Sequence, residues 1–192
     1  MSLAAPTESG QRSRILDAAL GLMSQRGSAG TSMRQLAEAC GLNVATIYHY
    51  FPSKADLLRA VIEERRYGER LASEDPPIDP TLPARERFAD LMRWLWASTE
   101  GEHTVLRLIL GEGVRGDPTA QQSVRKLISD LDRGMSVWMA TAFPELTQRG
   151  VDPATLARLV RRHLLSLEAE FLATGAADGD AAASDLAALL FP

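Results

Sequence analysis

The sequence has one cysteine and three histidines among 192 residues. A lone Cys40 cannot close an internal disulfide, and His49, His103 and His163 are too few and too scattered to make a zinc signature with it. Neither a disulfide scaffold nor a metal site is expected, and nothing calls for a cofactor. No run approaches the roughly 18 consecutive apolar residues of a membrane span, and Met1 to Gly10 has no basic stretch followed by an apolar one. These absences lead us to expect no membrane partner and a reducing, cytoplasmic location. Sustained period-two alternation is also missing, which removes β-sandwiches and Rossmann-type enzymes. A Gly-rich phosphate loop, a nucleophile elbow and a paired-carboxylate site are absent too, so the chain is not expected to be an enzyme.

Net positive charge is lacking as well: 21 basic residues stand against 25 acidic ones, a formal charge of -4. The surface as a whole is therefore no trap for polyanions, although a local basic face is allowed. What is present is ordinary globular composition, 45% hydrophobic and 24% charged, with apolar residues at helical spacing in almost every segment. The expected fold is all-α. In SEDPPIDPTLP, residues 73–83, four of the ten prolines lie within eight residues, and no helix can run through them. We therefore expect a flexible tail over 1–10, a small domain over 11–52, a connecting helix over 53–72, a Pro-rich linker over 73–83 and a second, larger domain over 84–192. The first 70 residues hold nine Lys/Arg against seven Asp/Glu, a mild +2, and the remainder carries the acidity at -6.

Beyond the linker, helices are expected over Ala84 to Ser98 and over His103 to Leu110, the latter bracketed by Gly101 and by Gly111 with Gly113. Asp117-Pro118 and Asp152-Pro153 each place an N-cap carboxylate before a residue suited to the first helical position, so two long helices should begin there. They should end before Pro144 and near Gly175. A last short helix is expected from Ser184 to Phe191.

The informative stretch is Thr31 to Leu58, TSMRQLAEACGLNVATIYHYFPSKADLL. Met33, Leu36, Ala37 and Cys40 follow i, i+3, i+4, i+7, and Ser32 with Gln35 forms a capping box, so an amphipathic helix starts here. Gly41 suits the left-handed position just past a helix end, and Asn43 is a strong N-cap for a second helix. On a helical wheel anchored at Ile47, Phe51 falls within about 40°, while Ala45, Thr46, Tyr48 and His49 lie about 100° or more away. Core and free faces separate. Pro52 should end that helix, Ser53 with Asp56 should cap the next, and Lys54 should then sit at the positive end of a helix dipole, a phosphate-gripping position.

With RILDAALGLMSQRG before it and ATIYHYFPSKADLL inside it, this stretch resembles the amino-terminal helix-turn-helix of the TetR family of transcriptional regulators, whose pattern reads TxYxHFxxKxxLL. The resemblance covers Arg12 to Arg70. It implies a three-helix DNA-binding head and a helical ligand-binding and dimerisation domain. It further implies a homodimer that binds a palindromic double-stranded DNA operator and is released by a small-molecule effector, so that the protein acts as a repressor. Thr31, Ser32 and Arg34 would approach the DNA backbone, Val44, Ala45, Thr46, Tyr48 and His49 would enter the major groove from the Asn43 cap, and Tyr50 and Lys54 would flank on phosphates. Val44 and Ala45 stand where some members carry long polar side chains, which shifts expected readout to thymine methyls, Arg34, His49 and DNA shape. Arg12 and Arg14 could reach a minor groove. For an apolar or aromatic effector the expected pocket residues are Trp94, His103, Arg107, Met135, Trp138 and Met139. The dimer interface is expected at Leu164, Leu167, Phe171, Leu186 and Leu189, with His163 as a hydrogen-bonded core or interface histidine.

Overall fold

The computed structural model describes residues 8–64 and 76–192, which form ten helices and no strand. The expected tail therefore lies outside the described residues up to Thr7, as do the end of the connecting helix and the first three linker residues. Two compact units emerge, and their division is not the linear one: residues 104–126 group with the amino-terminal residues, and the second unit gathers the residues up to His103 together with 127–192. The physical reason lies in the apolar stripe Val105, Leu108 and Ile109, which is buried in the same core as the amino-terminal helices.

In the first unit α1 (Glu8–Arg26) carries Ile15, Leu16, Ala19 and Met23 on one face, all buried. It stops at Gly27, where φ is +74° and the amide donates to the Met23 carbonyl. α2 (Met33–Cys40), α3 (Val44–Tyr50) and α4 (Lys54–Glu64) bury Leu36, Ile47, Phe51, Leu57, Leu58 and Val61 against it. α6 (His103–Val114), from Thr104 on, and the start of α7 (Pro118–Ala142), with Ala120, complete this core. Fully burying one such Leu or Phe contributes roughly 1.5–3 kcal/mol.

The second unit is built on α5 (Ala84–Ala97), the remainder of α7, α8 (Pro144–Gln148), α9 (Pro153–Thr174) and α10 (Gly179–Leu190). Phe88, Leu91 and Leu95 meet Met135, Trp138, Met139, Phe143, Leu156 and Val160 in its core. The small residues Gly179, Ala183 and Ala187 of α10 are buried, which lets its backbone approach α5 closely. Arg161 Nε donates to Asp132 at 2.5 Å, and Arg87 pairs with Glu145 above the Phe143 ring.

The expected caps form: Asp117 accepts from the Ala120 amide and Asp152 from that of Thr155, each at 2.9 Å. Three boundaries differ from expectation. α6 runs on through Gly111 and Gly113 to Val114, because the stripe that starts at Val105 continues to Glu112. α8 had no periodic signal in five residues. The last helix starts at Gly179 rather than Ser184, since Asp178 accepts from the Ala181 amide and caps it there. Among the described residues no helix is long and apolar enough to cross a membrane, and no three potential ligands gather where they could hold a metal ion.

Candidate nucleic-acid interface

Ser32 Oγ accepts from the Gln35 amide at 3.1 Å while Gln35 Oε1 accepts from the Ser32 amide at 2.8 Å, so the capping box fixes where α2 begins. Gly41 ends it with φ +66° and ψ +33°, and the Leu42 amide donates back to the Ala37 carbonyl. Two residues on, Asn43 Oδ1 accepts from both the Thr46 amide, at 2.7 Å, and the Thr46 hydroxyl, at 2.9 Å. Helix, short turn and helix therefore follow from side chains within a few residues of one another.

α3 is held from below by Ile47 and Phe51, which are 0% and 2% exposed. Its outward side presents Ala45, Tyr48 and His49, all exposed, with Asn43 at its start. Tyr48 and His49 make no hydrogen bond to another described residue. The His49 ring stands edge-on to that of Tyr50 at 5.5 Å. Arg34 is highly exposed on α2 and loosely paired with Glu38 at 3.4 Å, an arrangement a phosphate can displace at little cost. Val44 is half-buried against the core, so its side chain serves packing more than a groove.

Three expected phosphate contacts are turned inward. Thr31 is 2% exposed and its hydroxyl donates to the Gly27 carbonyl at 2.9 Å. Lys54 Nζ donates to the carbonyls of Ser28 and Thr31, at 2.8 and 3.3 Å. The Tyr50 phenol donates to Gln11 Oε1 at 3.3 Å and is half-buried. Each stabilises the frame that presents α3. Arg12, instead of reaching away from the head, lies over the Phe51 ring at 5.2 Å and pairs with Glu64. Cys40 is buried on the inner face of α2; desolvation pushes its thiol above the ordinary value, with the Arg14 charge opposing more weakly.

The six expected effector residues fall in different surroundings. Met135, Trp138 and Met139 are buried in the second core, with Trp94 edge-on to Trp138 at 5.8 Å. Arg107 belongs to the other unit and is exposed. His103 Nδ1 lies 3.0 Å from both carboxylate oxygens of Glu168, and its ring stacks on Phe171 at 4.0 Å. An open groove of about 840 Å³ in the second unit is lined by Trp96, Arg93, Glu100, Glu170 and Asp178, among others, and by none of the six.

Of the five expected interface residues, Leu167 is buried, Leu164 and Leu186 pack on the second core, Phe171 stacks on His103, and only Leu189 is fully outward at 77% exposure. On α9, Leu164 and Phe171 are only partly buried by these contacts. Leu165, absent from the expectation, is outward on that helix. The hydrogen bond expected of His163 is missing at its buried Nε2, among the described residues.

Sequence reasoning missed Glu112 and Glu168, both buried carboxylates. Each sits where an apolar residue belongs, Glu112 at i+7 from Val105 and Glu168 one turn after Leu164. That misplacement was the available signal.

An exposed helix face set on a capped helix-turn-helix defines the class, a DNA-binding transcriptional regulator. The pattern described as bacterial regulatory proteins, tetR family, matches residues 15–61. The chain is 29% identical over 177 residues to the transcriptional regulator UidR of Escherichia coli K12, covering 92% of this chain and 84% of that one. It is 44% identical over 69 residues to the transcriptional repressor KstR of Rhodococcus jostii RHA1, and this match spans 35% of the chain but only 32% of the KstR length. The solved structure of the regulator FadR from Bacillus subtilis, in complex with stearoyl-CoA, superposes with a TM-score of 0.68 at 18% identity, over 93% of this chain and 96% of that one. Residues 15–61 thus carry the DNA-binding pattern of the TetR family, and the chain as a whole is similar to regulators of that family.

Proposed function

We propose that the chain is a homodimeric repressor that places α3 of each copy in successive major grooves of a near-palindromic operator and leaves it when a small molecule binds the second unit. The exposed row Ala45, Tyr48 and His49, above the buried Ile47 and Phe51, carries the reading. It offers a methyl, a phenol and an imidazole to base edges. Ser32, Arg34, Asn43 and Thr46 supply the neighbouring backbone contacts, while Thr31, Tyr50 and Lys54 act through the frame.

The dimer reading draws on apolar side chains left outward on α9 and α10, Leu165 at 40% and Leu189 at 77% exposure. Two copies of that face bury what one leaves in water, and a two-fold protein calls for a two-fold site. An effector acts by binding one conformation of the dimer better than the other. Such a regulator works where the chromosome is, in the cytoplasm.

A second reading, a helical interaction protein with a vestigial head, draws on the inward commitment of Lys54 and Thr31, which leaves the interface short of cations. A mobility-shift titration against the DNA flanking its own gene separates the two. Saturable, salt-sensitive shifts at a dimer stoichiometry support the regulator; no shift even at low salt removes it in favour of the second reading.

A further inference from the structure

Helix α6 reaches the amino-terminal core through Val105, Leu108 and Ile109. Such contacts are non-directional, so they hold the helix in place without fixing its register along its own axis. One polar contact can. Glu112 is 3% exposed, and its Oε1 accepts from the Ser28 amide at 2.9 Å across 84 residues of chain. Ser28 is itself buried, and its carbonyl accepts from Lys54 Nζ at 2.8 Å. The peptide groups of one residue are thus held by an anion from α6 and a cation from α4. Arg115 Nη2 lies 2.6 Å from Glu112 Oε1 and balances the carboxylate from the solvent side.

The surroundings are shaped for this contact. Gly27 needs its positive φ to end α1, and a Cβ there would come within 3.1 Å of Glu112 Oε1 and 3.2 Å of Arg115 Nη2. A Cβ on Gly111 would meet Arg115 Nη2 at 3.1 Å, where the guanidinium folds back to reach Glu112. Two glycines flanking an acid weaken the helix at this point, each by about 1 kcal/mol relative to alanine. Segment 27–32 also ends on Ser32, the cap from which α2 starts.

We infer that Glu112 is a positioning residue for DNA recognition: its carboxylate pins the Ser28 peptide, sets the register of α6 on the head, and so fixes the turn from which α2 and then α3 are presented. This rests on the regulator reading. It has a distinct sign. If Glu112 mattered only as a negative charge near DNA, its removal would strengthen binding and steepen the salt dependence. A pin predicts the reverse.

The test compares the full chain with Glu112→Gln, Glu112→Asp and Glu112→Ala, reading amide exchange at Ser28 and affinity for a duplex from the DNA flanking its gene. Glu112→Ala and Glu112→Asp, which lack or fall short of the acceptor, should lose about tenfold in affinity, or 1.4 kcal/mol. Ser28 exchange should rise at least tenfold while the salt slope stays unchanged. Glu112→Gln keeps an acceptor oxygen in place and should recover most of both. Should Glu112→Ala fail to fold, the Gln and Asp pair decides alone. Wild-type exchange at Ser28, or wild-type affinity, in both the Asp and the Ala variants would overturn the pin. Absence of any binding by the wild type would instead sink the regulator reading, and the exchange data would still judge the Glu112 contact by themselves.

Discussion

Lys54 Nζ donates to the Ser28 carbonyl at 2.8 Å, so a residue expected on phosphate is fastened inside the head. The same ammonium reaches the Thr31 carbonyl at 3.3 Å. A hydrogen bond from a charged group contributes about 1.5–3 kcal/mol, with half-burial favouring the lower end. Lys54→Met should therefore lower the melting temperature by about 3–6 °C in a chain of this size. Its DNA affinity should keep the wild-type slope against salt. A phosphate contact would instead reduce that slope by about one per copy and leave melting untouched, and finding this would return Lys54 to the interface.

Tyr48 and His49 give the opposite pattern. Tyr48 is 47% exposed and His49 is also outward, so truncating either removes little packing and melting should move by no more than about 0.5 kcal/mol. Tyr48→Ala and His49→Ala should each weaken operator binding by about 1–3 kcal/mol, read by fluorescence anisotropy. A double variant with wild-type affinity would take the outer face of α3 out of DNA recognition.

Why was this part legible in the sequence when others were not? The capping box at Ser32 and Gln35, the left-handed Gly41 and the Asn43 cap all act within four residues, so their physics is written locally. The grouping of residues 104–126 with the head is tertiary: Ser28 and Glu112 meet across 84 positions, and no local preference announces it. Likewise a wheel marks Leu164 and Leu167 as apolar without saying whether the core or a second copy covers them. For Lys54 the helix dipole is visible in the sequence, whereas the two carbonyls its ammonium reaches lie 26 and 23 positions away.

The His103 and Glu168 pair sets up a test of a buried hydrogen bond. Glu168 has a side chain 4% exposed, and His103 Nδ1 lies 3.0 Å from both of its carboxylate oxygens. Removing His103 leaves that buried carboxyl without this partner and unstacks Phe171, and leaving a buried polar group unsatisfied costs about 1–3 kcal/mol. Glu168→Gln keeps the shape and loses the charge, so it should cost markedly less. Combining it with His103→Ala should recover part of the loss in denaturant melts. If His103→Ala proved as mild as Glu168→Gln, the carboxylate would have another source of compensation.

Cys40 should be chemically quiet. Burial raises its folded pKa above the unfolded value, so its contribution to stability is fully present below the unfolded value and is lost as pH rises through the folded one. The window is alkaline. Alkylation of the native protein near pH 8 should run far slower than in denaturant, and Cys40→Ala should flatten the alkaline fall in stability. Rapid labelling of the native thiol would contradict the burial argument.

Two glycines should respond to alanine with opposite signs. A Cβ on Gly179, the first residue of α10, would lie 2.1 Å from Trp96 Cδ1 and 2.6 Å from its Nε1. At 2.1 Å the indole must shift, and doing so disturbs its contacts with Phe171, edge-on at 6.4 Å, and with His103 at 6.1 Å. Overpacking of this kind costs about 1–3 kcal/mol, so Gly179→Ala should lower the melting temperature and alter tryptophan emission. Gly113 lies inside α6, where a Cβ would meet only Val124 Cγ2 at an ordinary 3.6 Å. Relief of the glycine penalty in a helix interior should make Gly113→Ala more stable by about 0.5–1 kcal/mol. The comparison separates contact from propensity, because both substitutions add the same methyl group to a helical residue. If Gly179→Ala were stabilising, the close approach of α10 to Trp96 would be wrong; if Gly113→Ala were strongly destabilising, Gly113 would have a conformational role that its helical geometry does not require.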